Sequence, residues 1–387
     1  MKSLLTLFIL AVGFQLSAQT QTYYVPPSDI DAAYIVDQDS HAIILNPLVE
    51  INRIFLWIGG TGSNPTQYPA LMDDAADLGY HVINLSYPNE VTANSLNADP
   101  DLYVFDKFRQ EICFGTPGSD AVDVDTLNSI YTRFVKLITY LEANSPTENW
   151  SQFFLAPGVI DWSKVATGGH SQGAGHAAYL AKVFPVNRAL MFSGPNDYST
   201  FYSAGGNWLS SNSVSEIERY YAYLSLYDEF VDFSKQFADI EALGMLNNDD
   251  TTLVDVNSSP YGFSKCLYTI QQPGIVLIYH NVPVKNSFIN HDVWEYMLTD
   301  PITIGIAEGE IDQLTLFPNP SSNTLNIGGI GATQMVDIEL RNSSGRLILN
   351  YRNAIDHSID ISHLATGVYF IAIKFDNKVV NKIFIKE

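Results

Sequence analysis

The pentapeptide Gly169-His170-Ser171-Gln172-Gly173 constrains this chain most, because it joins two segments of different character. Residues 165–167 are strand-like, and residues 174–184 are rich in small side chains and end before a proline. A serine in a sharp strand-to-helix turn has a strained backbone, and flanking glycines avoid clashes with the sheet and the helix. The helix N-terminus also offers unpaired N–H groups where an oxyanion would form. The pattern predicts that Ser171 is a nucleophile.

A nucleophilic serine needs a histidine base, which an acid then orients, and on this type of sheet their chain order is serine, acid, histidine. His176 lies in the helix directly behind the serine, so His280 and His291 are the two candidates between Ser171 and the C-terminal segment. His280 follows the strand-like residues 275–279, whereas His291 lies in a predicted loop before a helical stretch. We expect the base in the loop between the last strand and the last helix, which favours His291 and leaves His280 open.

The acid is expected at the end of a strand, because catalytic groups in open α/β sheets gather at the carboxyl ends of the strands. Residues 221–227 predict a strand, and Asp228 follows it directly. Asp228 is therefore the first choice. Asp197, which follows the next strand towards the N-terminus, is the alternative, and Glu229 is the third choice.

Two backbone N–H groups are expected to form an oxyanion hole. One belongs to Gln172, the residue after the nucleophile. The other is expected in the glycine-rich segment 59–65, where Thr61 is the first choice and Gly62 the second, because glycines allow the backbone to approach a substrate oxygen. This segment has neither the GxxxxGK[ST] nor the GxGxxG pattern, which argues against a phosphate-binding turn.

Strand-like and helical segments alternate from residue 19 to residue 303, which predicts an α/β domain with a mostly parallel sheet and helices on both faces. The predicted strands are 54–58, 82–85, 165–167, 189–192, 221–226 and 275–279, and the clearest helices are 64–78 and 127–141. Residues 304–312 have no helical period and predict a linker. Residues 313–387 contain strands alone, at 325–327, 336–340, 347–349, 368–373 and 382–385, which predicts a small all-β sandwich.

The ends and the composition of the chain limit its compartment and its partners. Residues 1–18 combine a lysine, an apolar run and a small-residue cleavage site, as in a secretory signal peptide, and no later segment is apolar enough to span a membrane. The net charge of −22 argues against nucleic acid and anionic membranes as partners. No HExxH motif or Cys/His cluster is present, so no metal or other cofactor is expected. Cys113 and Cys266 fit either one disulfide or two free thiols.

The order of the motifs GGTGSNP, GYHVINLSYPN and GHSQGAGHAA, followed by an aspartate and a late histidine, resembles that of secreted α/β-hydrolase-fold esterases and lipases. The resemblance covers residues 40 to 300. It implies the α/β-hydrolase fold, an ester-containing substrate and hydrolysis through an acyl-enzyme. It does not separate small esters, lipids, acylated polysaccharides and polyesters.

The C-terminal segment resembles the sorting domains that the type IX secretion system of Bacteroidetes recognises. The motif FPNP at residues 317–320, the motif GVYF at residues 367–370 and a basic end at residues 382–386 carry this resemblance. It implies export through the periplasm, with the type IX machinery as a partner. Removal of the module would then release the protein or attach it to the cell surface. A carbohydrate-binding or adhesive β-sandwich is the competing interpretation.

Two functions follow from these patterns. The first is a secreted carboxylic ester hydrolase in which Ser171, Asp228 and His291 form a triad and Thr61 and Gln172 hold the oxyanion. The second is a non-catalytic surface binding or adhesion protein built on a hydrolase scaffold, because a fold alone does not establish an activity. A peptidase or another acyl-transfer enzyme would use the same machinery.

Overall fold

The computed structural model describes residues 20–34, 39–246, 251–272, 278–299, 315–329, 335–342, 347–355, 357–375 and 378–387. The predicted signal peptide at residues 1–18 and the predicted linker at residues 304–312 lie outside these ranges. The chain divides into two compact units, residues 1–300 and residues 301–387, and each is described by itself.

A nine-stranded sheet forms the centre of the first unit, with the strand order β1-β2-β4-β3-β5-β6-β7-β9-β8. The strands are Gln21–Val25 (β1), His41–Leu45 (β2), Ile54–Ile58 (β3), His81–Leu85 (β4), Val165–His170 (β5), Arg188–Phe192 (β6), Tyr220–Ser225 (β7), Thr251–Leu253 (β8) and Cys266–Thr269 (β9). Pairing is parallel from β4 across to β8, and antiparallel at β1–β2 and β2–β4. The mostly parallel α/β sheet that the sequence predicts is therefore present.

Helices cover both faces of this sheet, because its central strands are apolar on both sides. In β3, Ile54, Leu56 and Ile58 belong to one buried cluster, while Phe55 and Trp57 belong to another. The helices of the first unit are Pro27–Ile30 (α1), Pro69–Asp77 (α2), Val104–Phe114 (α3), Ile130–Asn144 (α4), Gln172–Val183 (α5), Phe233–Ala242 (α6) and Phe288–Thr299 (α7). Helices α3, α4 and α5 contribute to the first cluster, and α2 and α7 contribute to the second.

Two local predictions differ from the structure. Helix α2 begins at Pro69 and not at residue 64, because Tyr68 adopts a left-handed conformation and Asn64 forms a turn by accepting from the N–H of Thr66. The predicted strand at 275–279 falls mostly outside the described residues. Its last residue, Tyr279, begins a short 3₁₀ helix that ends at Val284. The strand beside β7 is β9 instead, which pairs with β7 in parallel.

Both cysteines are buried free thiols in this structure. The Sγ of Cys113 lies 3.5 Å from Nδ1 of His176 on α5, and Cys266 lies in β9, next to the edge strand β8. The sequence leaves open one disulfide or two thiols, and the structure contains two thiols without a disulfide.

Two small antiparallel sheets form the second unit, with orders β10-β11-β14 and β13-β12-β15-β16. Their strands are Thr315–Phe317 (β10), Thr324–Gly328 (β11), Val336–Asn342 (β12), Leu347–Ala354 (β13), Ser358–Asp360 (β14), Gly367–Phe375 (β15) and Lys378–Lys386 (β16). Leu325 and Ile359 of the first sheet share a buried cluster with Ile338 and Ile371 of the second. All-β structure after residue 313 agrees with the sequence pattern.

Leu56→Ala should reduce the free energy of unfolding of the first unit by about 2–5 kcal/mol, because it leaves a cavity under the centre of the sheet. The matched variant Leu155→Ala removes the same atoms from a side chain that is 71% exposed and should change stability by less than about 0.5 kcal/mol. Urea unfolding followed by tryptophan fluorescence checks both. All five tryptophans precede residue 300, so the signal reports the first unit alone. Equal losses in the two variants would contradict the placement of β3 in the core.

Candidate active site

Ser171 occupies a strained turn between β5 and α5, with φ 56° and ψ −123°. A Cβ atom at Gly169 would lie 2.2 Å from the carbonyl oxygen of Gly173, and one at Gly173 would lie 2.0 Å from the carbonyl oxygen of Ile58. Both positions therefore require glycine, because backbone atoms fill the space that a side chain would need. The turn raises the serine above the carboxyl end of β5, in the geometry that the motif predicts for a nucleophile.

Asp228 and His280 form a buried pair at the carboxyl edge of the same sheet. Nδ1 of His280 lies 2.6 Å from Oδ2 of Asp228, which also accepts from Nε2 of Gln236 at 2.9 Å. The other oxygen, Oδ1, accepts from the N–H groups of Phe230 and Val231, at 2.9 Å each. Four hydrogen-bond partners surround the two carboxylate oxygens of Asp228. A carboxylate can only accept, so it pairs with the His280 tautomer that has its N–H at Nδ1.

His170 links this pair to the nucleophile, and its importance was not apparent from the sequence. Its ring centroid lies 4.7 Å from that of His280, and its Nε2 donates to the His280 carbonyl at 3.1 Å. Ser193 Oγ donates to the same carbonyl at 2.6 Å. Burial, and secondarily the nearby His280, lowers the pKa of His170 to about 3, so the ring is neutral. Its Nδ1 then accepts from the Tyr68 hydroxyl at 3.2 Å.

The structure does not bring His291 to the predicted site. His291 lies inside α7 and not in a loop, and its Nδ1 is bonded to the carboxylate of Asp74 on α2. Its Nε2 is 2.9 Å from Oδ1 of Asn286. Both ring nitrogens are therefore occupied, and the bond to Asp74 connects α7 to α2. Of the two histidines that the sequence leaves open, His280 lies beside Asp228, whereas His291, the preferred one, lies beside Asp74.

Asn196 is a second neighbour of the nucleophile that sequence reasoning missed. Its amide nitrogen faces the carbonyls of Ser193 and Pro195, at 3.3 and 2.9 Å, when its oxygen accepts from the Ser171 hydroxyl at 3.2 Å. Asn196 is buried, and it follows the end of β6, two residues beyond Gly194. Its position shortly after the carboxyl end of a strand is the sequence feature by which it could have been identified.

The glycine-rich loop after β3 packs directly on the nucleophile. A Cβ atom at Gly60 would lie 3.1 Å from that of Ser171. The N–H of Gly62 donates to the carbonyl of Asn89 at 3.1 Å, so Gly62 is not available as an oxyanion donor. Thr61 contacts Gln172 through a 2.9 Å hydrogen bond between their side chains. The N–H of Gln172 is the first of α5 and has no acceptor within the helix.

Asp197, the alternative acid, belongs to a buried ion pair behind α5. Nε of Arg109 donates to Oδ2 of Asp197 at 2.9 Å, and Nη1 donates to the carbonyl oxygen of Gln172 at 2.7 Å. Trp208 Nε1 also donates to Asp197, at 2.6 Å. Burial, followed by the charge of Asp197, raises the pKa of Asp239, which accepts from the Asp197 N–H. Arg109 and Trp208 thus bind both oxygens of the Asp197 carboxylate, and the carboxylate that contacts His280 Nδ1 is Asp228.

Glu229, the third candidate for the acid, contacts the backbone of His280 and not its ring. Its Oε2 accepts from the backbone N–H of His280 at 3.1 Å and makes no contact with the imidazole nitrogens. No group of three or more His, Cys, Asp or Glu side chains with metal-binding geometry occurs in the described part of the chain. No helix within those same residues is long and apolar enough to cross a membrane.

Residues 315–387 match the family model described as "Secretion system C-terminal sorting domain". The second unit is a sorting domain. This match confirms the interpretation of the FPNP and GVYF motifs, and it indicates that the protein is secreted and reaches the cell surface or the medium. The match covers less than half of the chain, so it assigns no family to the first unit.

Comparisons of the whole chain give no stronger assignment. No curated protein matches this sequence. Among solved structures, "Crystal Structure of TT1662 from Thermus thermophilus" is similar over 73% of this chain and 99% of that chain, with 13% identity and a TM-score of 0.36. A likeness at this level supports no inference about activity.

Gly173→Ala should destabilise the first unit by about 1–3 kcal/mol or more, because the new methyl group meets the Ile58 carbonyl. Gly118→Ala is the matched control, because the nearest atom to its added carbon is 3.7 Å away, on the Lys107 side chain. Urea midpoints from tryptophan fluorescence measure both changes. A Gly173→Ala protein as stable as the control would rule out the close approach of α5 to β3.

Arg109→Leu should destabilise the first unit by about 3–5 kcal/mol, because it leaves the buried Asp197 carboxylate without its cation. Lys107→Leu, two residues earlier on α3, removes a cation from an exposed pair with Asp101 and should change the urea midpoint little. If Lys107→Leu lowered the urea midpoint as much as Arg109→Leu does, the buried ion pair would not explain the loss.

Proposed function

We propose that the first unit is a serine hydrolase of the α/β-hydrolase type that cleaves carboxylic esters. Ser171 is the nucleophile, His280 the base and Asp228 the acid that orients it. The observation that carries this proposal is the 2.6 Å contact between His280 and Asp228 beside a serine in a strained strand-to-helix turn. The strained backbone at Ser171 costs about 1–3 kcal/mol of folding free energy, so stability alone does not explain it.

In the first half of the reaction, Oγ of Ser171 attacks the ester carbonyl carbon while its proton moves to Nε2 of His280. Asp228 stabilises the resulting imidazolium without taking its proton. The negative oxygen of the tetrahedral intermediate accepts from the N–H groups of Thr61 and Gln172. When the intermediate collapses, the bond to the alcohol oxygen breaks and His280 returns its proton to that oxygen. An acyl group remains on Ser171.

In the second half, water replaces the alcohol. His280 takes a proton from the water as its oxygen attacks the acyl carbon, and the same donors hold the second oxyanion. Collapse then breaks the bond to Oγ of Ser171, which receives the proton from His280. The balance is one ester and one water consumed, with one carboxylic acid and one alcohol formed. Neutral His170 holds the His280 carbonyl through both halves but takes no proton itself.

Export by a type IX secretion system completes the proposal. The match of residues 315–387 to a secretion sorting domain supports it, together with the motifs FPNP and GVYF. The machinery would bind the second unit, and removal of that unit would release the hydrolase or attach it to the surface. The signal-peptide pattern at residues 1–18 supports entry into the periplasm first.

One observation favours the non-catalytic alternative. The Ser171 hydroxyl is bonded to Asn196, and no hydrogen bond within the described residues joins it to His280. Catalytic hydrogen bonds are often long in structures without substrate, and a serine needs one rotation about χ1 to change its partner. A surface-binding protein would keep the same scaffold and show no reactive serine.

A fluorophosphonate probe should label the full-length protein at Ser171, and peptide mapping by mass spectrometry identifies the site. Ser171→Ala should abolish labelling. His280→Ala should reduce labelling and ester hydrolysis by roughly 10³-fold or more, because the serine loses its base. His291→Ala is the matched control and should keep both, because His291 contacts Asp74 instead. A folded wild-type protein without labelling would favour the surface-binding role, and loss in His291→Ala alone would restore the original choice of base.

A further inference from the structure

Three aromatic side chains flank the acid and the base, and none of them has a role in the chemistry proposed above. Tyr227 directly precedes Asp228, and Phe230 follows it by two residues. Tyr279 directly precedes His280. Tyr227 is 50% exposed and Phe230 is 62% exposed, while Tyr279 is half-buried. We call these three side chains the aromatic rim.

Contacts with His280, with Gln272 and within the group hold the aromatic rim in place. The Phe230 ring meets the His280 ring edge-on, with centroids 5.4 Å apart. The rings of Tyr227 and Tyr279 meet in the same way at 5.6 Å. The Tyr279 hydroxyl donates to Oε1 of Gln272 at 2.6 Å. Aromatic groups that are exposed and yet fixed lose little conformational entropy when a ligand covers them.

The backbone beside the aromatic rim is connected to the glycine-rich loop that contains Thr61. Nδ2 of Asn94 donates to the Phe230 carbonyl at 3.3 Å. The preceding residue, Ala93, donates its N–H to Oε1 of Gln172 at 3.2 Å, which also accepts from the Thr61 hydroxyl. The aromatic rim and this loop are therefore joined through the segment at residues 93–94. Because the Phe230 ring lies against the His280 ring, a substrate that exchanges a proton with His280 would lie close to the aromatic rim.

The segments joined by these contacts expose polar side chains besides the aromatic rim. They include Thr61, Ser95 and Glu229, and no large aliphatic side chain in the described segments 59–63, 93–96, 227–231 and 278–281 is exposed. An acyl chain of a lipid would need an aliphatic groove that removes it from water. Flat aromatic faces with hydroxyl and carboxylate groups between them suit a ligand that is apolar on its faces and polar at its edges.

We infer that the alcohol part of the substrate is a neutral sugar whose ring stacks on the aromatic rim. The C–H groups on a sugar face carry partial positive charge, which the negative face of an aromatic ring attracts. Its equatorial hydroxyls would find donors and acceptors in Thr61, Ser95 and Glu229. The net charge of −22 disfavours an anionic glycan, because the protein field repels it. This inference rests on the proposed ester hydrolysis and names its substrate class.

The reaction is the one described above with a sugar hydroxyl as the leaving group. The ester C–O bond to the sugar oxygen breaks, and His280 supplies the proton that makes it a hydroxyl. The acyl group passes to Ser171 and leaves as a carboxylic acid after attack by water. The products are a deacylated sugar and one acid, with no other reactant.

The test compares the full-length protein with Tyr227→Ala and Phe230→Ala on an acetylated neutral xylo-oligosaccharide. The KM for this substrate should rise roughly tenfold in each variant, which corresponds to the loss of one stacking contact, while kcat changes much less. Tyr227→Phe should retain most of the wild-type KM because the stacking face is kept. Tyr24→Ala, on the edge strand β1 and with 51% exposure, is the matched control and should leave KM unchanged.

Four outcomes are distinguishable. A selective rise in KM that Tyr227→Phe does not show supports the sugar-binding role. A wild-type protein that is labelled by the fluorophosphonate and hydrolyses p-nitrophenyl acetate, but does not act on the acetylated oligosaccharide, overturns this inference and leaves the proposed function intact. A folded protein without labelling or ester hydrolysis overturns both. A fall in kcat without a change in KM also overturns the inference, because it indicates damage to the acid–base pair.

Discussion

The close approach of α5 to the strands beneath it is the constraint on which the site depends. Two glycines allow backbone to meet backbone at Gly169 and Gly173, and this contact fixes the sharp turn at Ser171. The turn determines how far the serine projects above the sheet edge and directs the N–H of Gln172 towards the same point. Strain stored there has to be balanced by packing elsewhere, and the apolar clusters on both faces of the sheet supply that balance.

Asp197 and Asp228 lie in separate places and have different partners, although the sequence allowed either of them to be the acid of the site. Asp197 lies beneath the turn, where Arg109 neutralises it and also holds the Gln172 carbonyl. Asp228 lies above the sheet edge, where backbone N–H groups and Gln236 leave one direction open for His280. One carboxylate is therefore paired with the arginine that holds the first turn of α5, and the other contacts Nδ1 of His280. Their burial alone does not distinguish them, but their partners do.

The sequence predicts those features that depend on local backbone chemistry. The elbow could be identified because glycine spacing encodes it directly, and the alternation of apolar strands with helices predicts the mostly parallel sheet. The choice of histidine could not be made in this way. His280 lies in a short 3₁₀ helix, and its carbonyl is held by His170 and Ser193, both distant in sequence. His291 looked favourable because the start of α7 carries no strong local signal.

The buried thiols of Cys113 and Cys266 have a consequence for a protein that crosses an oxidising compartment. In the folded first unit both thiols are buried and therefore shielded from oxidants. They lie on different elements, α3 and β9, and form no disulfide. In the unfolded chain they are the only two thiols available, so they can react only with each other or with another molecule. A bond formed at that stage has to be reduced before the chain reaches this structure. The yield of native protein then depends on whether the chain folds faster than its thiols are oxidised.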